Sequence, residues 1–125
     1  MDRGGQIKEA VAIAGARYNF RGKSGVAFWC EDTDLASLPP LAAAHRAGED
    51  PSAFGTPKCD FCFWLPDGGA KGAEAALAEA SYACKTMFFL SLAGRAAHES
   101  VLRRARYEHA LELGRAGAWR VLMCW

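Results

Sequence analysis

The residues best suited to chemistry are Cys59 and Cys62, in the run Lys58-Cys-Asp-Phe-Cys-Phe-Trp-Leu65. Two thiolates at Cys-x-x-Cys spacing on a tight turn make half of a tetrahedral zinc site. The other two ligands would come from Cys30, Cys84, Cys124, His45, His98 or His109. No second paired motif exists, and no glycine follows Cys62. On a flat strand, residues three apart also point to opposite faces, so the two thiols would not reach one ion. A thioredoxin-like role needs the pair at a helix N-terminus, whereas here it runs into Phe63-Trp64-Leu65-Pro66. The favoured reading is that the cysteines pack as small hydrophobes, which leaves zinc at Cys59 and Cys62 as an alternative and otherwise no cofactor.

Other chemistry is weaker. Gly22-Lys23-Ser24 resembles the tail of a phosphate-binding P-loop, but position 17, where the first glycine belongs, is Arg17. The same stretch would need glycine in place of Val26 to make a nucleophile elbow. His98 and His109 fall on one face of the expected helix, about 16 Å apart, too far to share a metal or a proton. Glu31, Asp32 and Asp34 could hold Mg²⁺, although an acidic loop is usually just solvated. No nucleophile, base and orienting group come together in sequence, which leans against an enzyme. Basic and aromatic residues do cluster. Arg17, Tyr18, Phe20, Arg21 and Lys23 surround one turn, and Arg103, Arg104 and Arg106 crowd the C-terminal third. Together these could meet phosphates and stack on bases.

The elements that would position these residues follow from pattern. At 125 residues, 51% hydrophobic and 23% charged, the chain suits a single globular domain, residues 1–125. The start is not a signal peptide, no apolar run approaches the roughly 20 residues of a membrane-spanning helix, and five cysteines without an export signal suit a reducing cytoplasm. Alternating residues from Glu9 to Tyr18, the turn chemistry of Asn19 to Gly25, and Val-Ala-Phe-Trp-Cys at 26–30 predict a β-hairpin. A helix over Gln6 to Arg17 is the rival. Leu41 to Arg46, opened by Pro39 and Pro40, predicts a short helix. Lys58 to Leu65 predicts a middle strand, closed by the Pro66-Asp67-Gly68-Gly69 turn. Helices are expected from Ala73 to about Leu92 and from Ala96 to Leu113, with a last strand over Ala118 to Trp125. By composition Thr86 to Leu92 also suits a strand. The fold class is then α+β: a small, mostly antiparallel sheet of about four strands (β-β-α-β-α-α-β) with helices on one face.

The net charge of +1 conceals sums of +3, −5 and +3 over residues 1–23, 24–93 and 94–125. Opposed patches favour oriented docking, and four tryptophans are natural anchors. The expected function is a non-enzymatic binding module: a small stoichiometric inhibitor or adaptor, of the kind bacteria and phages use, acting on a protein or nucleoprotein partner. The alternatives are a nucleic-acid binder using the basic hairpin and the Arg-rich C-terminal helix, and a zinc-stabilised domain or small metalloenzyme using Cys59 and Cys62. A homodimer would hide some of the apolar surface.

Overall fold

The structure, a computed structural model, describes residues 2–46, 58–65, 84–91, 107–117 and 119–125. It opens with helix α1, Arg3–Gly15. Asp2 caps it, its carboxylate accepting the Gly5 N–H at 2.7 Å. Ile7, Ala10 and Ala14 are buried, at the spacing of one helix face. The expected hairpin therefore gives way to the rival helix. Small alanines at 10, 12, 14 and 16 suit helix packing and offer a strand little to pack.

Six strands follow: β1 (Gly25–Cys30), β2 (Ala43–Arg46), β3 (Cys59–Trp64), β4 (Cys84–Ser91), β5 (Ala110–Ala116) and β6 (Trp119–Cys124), with a 3-10 helix at Asp32–Ser37. They form one sheet in the order β2-β1-β3-β4-β6-β5. β1 pairs in parallel with β2 and with β3, β3 in parallel with β4, and β6 antiparallel with both β4 and β5. Among the described strands β6 alone runs backwards. The sheet is thus mixed, six-stranded and mostly parallel, not a four-stranded antiparallel one.

The correction has a physical cause. Strands of a parallel sheet are covered on both faces, so they read as unbroken apolar runs with no alternation. Val-Ala-Phe-Trp-Cys, Phe-Cys-Phe-Trp-Leu and Met-Phe-Phe-Leu are such runs. On one face Ala14 of α1 packs with Phe61, Phe63 and Phe88, while Leu35, Leu38 and Leu41 join a second cluster around Ala27, Leu90 and Val121. On the other face Val26, Phe28, Cys62, Trp64, Met87 and Leu122 are buried too. Covering one face only, as expected, would have left these in water.

Three helix assignments change with it. Leu41 to Arg46 is not a helix, because Ala42 N–H donates to the Gly25 carbonyl at 2.7 Å and Ala43 pairs with Val26. So short a helix has little stability of its own to set against that ladder. The end of the first long helix is β4; its residues 73–83 and Leu92 lie outside the described residues, as does the expected turn at 66–69. The end of the second is β5; residues 96–106 again lie outside. Gly117 turns β5 into β6 at φ +61°, a conformation glycine adopts without strain. The expected strands at Lys58–Leu65 and Ala118–Trp125 are present as β3, an interior strand, and β6.

Candidate functional site

In an open, mostly parallel sheet, ligands bind beyond the carboxyl ends of the strands where successive connections leave in opposite directions. That point is β1, which has β2 on one side and β3 on the other. Cys30 ends β1, and Glu31-Asp32-Thr33-Asp34 follows directly. The four residues have different fates. Asp34 is 1% exposed and accepts Arg3 Nε and Nη2 at 2.9 and 3.1 Å, and the Glu31 N–H at 2.9 Å. It ties the N-terminus of α1 to the turn and is spent on structure. Glu31, Asp32 and Thr33 are exposed. The Asp32 carboxylate pairs with Arg46 at the end of β2. Behind them the Arg3 guanidinium lies 5.3 Å from the centre of the Trp119 ring, and Gln6 packs against Gly117. The result is an edge with acceptors facing solvent and cations fixed beside them. The acids do not form a magnesium site: among the described residues no three His, Cys, Asp or Glu side chains converge on one point.

The opposite, amino edge holds most of the residues the sequence singled out. Asn19 Oδ1 accepts the Arg21 N–H at 3.0 Å, shaping the turn between α1 and β1. Arg17, Arg21 and Lys23 are exposed there. Tyr18 and Phe20 are half-buried and lie 4.8–5.8 Å, ring to ring, from Phe61 and Phe88. Lys23 Nζ covers Tyr18 at 4.0 Å. The two aromatics that might have stacked on bases are thus packed as a lid on the core. Burial, then Asp60, raises the Tyr18 pKa. Arg103, Arg104, Arg106 and His98 lie outside the described residues, so the meeting of the two basic patches does too.

The cysteines are distributed around the sheet. No disulfide joins any of the five. Cys59 and Cys84 are register partners at the starts of β3 and β4, their Sγ atoms 3.6 Å apart. Cys62 Sγ lies 3.9 Å from the Tyr107 hydroxyl, which donates to the Cys84 carbonyl at 2.9 Å. Burial, then the neighbouring Cys84, pushes the Cys59 thiol up to about 12. Contact with Cys62, then burial, raises Cys84. Cys30, across the sheet, points its thiol at the His45 carbonyl, 3.5 Å away, and burial lifts it to about 11. His109 stacks on Trp125 at 5.2 Å. Trp125 and Leu111 are the exposed large apolar side chains among the described residues, and with Arg17, Thr86, Leu113 and Met123 they line an open depression of about 410 Å³.

Sequence reasoning noted Glu31, Asp32 and Asp34 but read them as solvated, took Trp119 only as one of four candidate anchors, and gave Arg3 and Arg46 no role in a site. The missing signal is strand order, since these residues meet only because β1 and β2 end side by side.

No family model and no curated protein matches the chain. Solved structures do. The T. thermophilus 16S rRNA N2 G1207 methyltransferase, in complex with AdoMet and guanosine, superposes with a TM-score of 0.67 at 13% identity over 99% of this chain and 43% of that one. The mitomycin 7-O-methyltransferase gives 0.58 at 13% identity over 94% and 53%. A proposed RNA methyltransferase of Pyrococcus horikoshii gives 0.56 at 12% identity over 94% and 79%. The chain therefore spans about half the length of the first two. At such identities the likeness is one of fold, and that fold is the methyltransferase one. It overturns the expected non-enzymatic inhibitor or adaptor. It also overturns the expectation of no cofactor, because these neighbours are methyltransferases and one holds AdoMet. Among the described residues no helix is long and apolar enough to cross a membrane.

Proposed function

We propose that the chain is an S-adenosylmethionine-binding methyltransferase domain whose cofactor lies along the carboxyl edge, with RNA as the substrate class. The observation that carries the reading is the reversal of connection at β1, with two exposed carboxylates directly after it. Their donor set fits the adenosine half of such a cofactor. Glu31 and Asp32 are acceptors in solvent, suited to the hydroxyls of a ribose, and Asp34 and Arg3 hold their turn rigid. Arg46 pairs with Asp32 and orients it. The cofactor supplies a methyl group on a sulfonium, activated for attack by a nucleophile. The chain's own contribution is to bind and orient it.

One departure is clear. No glycine stands between Gly25 and Gly48, so the turn after β1 offers side-chain oxygens in place of a close backbone cradle. RNA is favoured among substrates because two of the three neighbours are described as acting on RNA, and because Arg17, Arg21 and Lys23 are exposed. These cations stand at the far edge, about 20 Å away along six-residue strands. They would hold phosphates remote from the reacting base.

Isothermal titration with S-adenosylmethionine and S-adenosylhomocysteine tests the reading. Saturable binding with a Kd on the order of 10 μM is expected, weakened roughly tenfold in Asp32→Asn. No heat from either ligand at millimolar concentration would end the proposal. If binding holds, transfer of labelled methyl to RNA, and its absence with small phenols, decides the substrate class.

A further inference from the structure

The thiols at the amino edge have no part in the carboxyl-edge site. We infer that Cys59 and Cys84 are an oxidative modification site: a cross-strand dithiol that a hydroperoxide converts to a disulfide. The geometry carries this. The two residues are register partners on adjacent parallel strands. Neighbouring strands run about 4.8 Å apart, within the Cα separations that disulfides span. Their sulfurs already lie 3.6 Å from each other, so side-chain rotation closes the gap to a bond of about 2.0 Å without moving the backbone.

The pair is also asymmetric in the way a two-step oxidation needs. Cys59 is half-buried and lies between the exposed Lys58 and Asp60, whereas Cys84 is 2% exposed. Peroxide reaches Cys59 first. Its sulfur takes one peroxide oxygen, becoming a sulfenic acid, and one water leaves. Cys84 sulfur then attacks Cys59 sulfur, the S–S bond forms, and the sulfenic oxygen departs as a second water with the Cys84 proton. Two thiols are oxidised and one hydroperoxide is reduced, with no other reactant. Cys84 also touches Cys62, but Cys62 is fully buried against the Tyr107 hydroxyl, so of the two neighbouring thiols Cys59 is the one that oxidant reaches first. The high thiol pKa of Cys59 makes the first step slow, so the site answers sustained oxidant and not a brief pulse. The new bond closes the crossover between two interior strands into a covalent loop.

The inference stands apart from the methyl-transfer reading and is tested without any cofactor. The reduced full chain is treated with hydrogen peroxide, its remaining thiols are blocked, and it is digested without reductant for peptide mapping. The expected result is one Cys59–Cys84 linked peptide and a fall from five to three titratable thiols under denaturant. The thermal midpoint should rise on the order of 10 °C and return with dithiothreitol. Cys59→Ser, at a half-exposed position that tolerates it, should abolish both changes, and Cys30→Ser should abolish neither. Five thiols after treatment, a link to Cys62, Cys30 or Cys124, or Cys59 recovered as sulfinic acid would each overturn the inference.

Discussion

The two ends of the sheet solve opposite problems. At the carboxyl edge, charge is kept and organised: Asp34 is bound by Arg3, Asp32 by Arg46, and Glu31 remains in water. At the amino edge between β3, β4 and β6, charge is avoided: Cys59, Cys84 and the Tyr107 hydroxyl are held neutral by burial and by neighbouring thiols. An edge meant to receive a polar ligand needs acceptors that are fixed but solvated, because fully desolvating them would cost more than most ligands return. An edge that only closes a core can use groups that neutralise. The difference places recognition at one end and structural closure at the other.

The comparison is broken most severely at Asp34. Replacing it by alanine removes both bonds to Arg3 and the partner of the Glu31 N–H, leaving a partly buried guanidinium facing an empty space. We expect a loss of about 2–4 kcal/mol in urea unfolding. Asp32→Ala, whose pair is exposed on both sides, should cost under about 0.5 kcal/mol in the same assay. Equal losses would mean that the carboxyl edge is not divided into a structural acid and an available one.

The amino edge is probed by alkali. A thiol whose folded pKa is raised stabilises the fold while the unfolded thiol is also neutral. That contribution is lost as pH climbs past the unfolded value near 8.5 toward the folded one. With Cys30 at about 11 and Cys59 at about 12, and Cys84 and Tyr107 raised as well, the thermal midpoint should fall steadily from about pH 8.5 upward. Alkylation of Cys59 should gain close to tenfold per pH unit over the same range, since it follows the thiolate. A midpoint that is flat to pH 10.5 would show that these thiols are more open to water than the packing implies.

How much of this was readable beforehand depends on range along the chain. The turn at Asn19 to Gly25, β3 and β6 were legible because each is announced within a few residues by glycine, asparagine or a dense aromatic run. β4 was legible only as an alternative, from the composition of Thr86 to Leu92, because Met87-Phe88-Phe89-Leu90 carries no alternation and follows an alanine-rich stretch with no breaker; only two covered faces decide for the strand. β2 was hidden for the opposite reason. Ala43 and Ala44 carry no strand preference and pair solely because β1 is beside them. The candidate site was least legible of all. Arg3 and Asp34 are 31 residues apart, and no local pattern joins them. The sequence did contain one usable clue: three acids directly after a five-residue apolar run, where a buried strand must come back to water.

A small effect is also expected at Trp125, and it tests whether the amino edge is as closed as the thiols suggest. The indole is 45% exposed and stacks on His109, so alanine removes little buried area. The backbone there holds without it: the Trp125 carbonyl accepts the Glu108 and His109 N–H groups at 3.0 and 2.9 Å, and the Trp125 N–H donates to the His109 carbonyl at 3.0 Å. Trp125→Ala should therefore cost under about 1 kcal/mol, against about 2–5 kcal/mol for Leu122→Ala, which removes a fully buried side chain of β6. Sulfur chemistry gives the sharper readout. If the main chain alone seals this end, alkylation of the buried Cys124 beside it stays as slow in Trp125→Ala as in the parent. If it speeds up many-fold, the ring is a working part of the closure, and the contrast between a sealed edge and an open one narrows to a single exposed side chain.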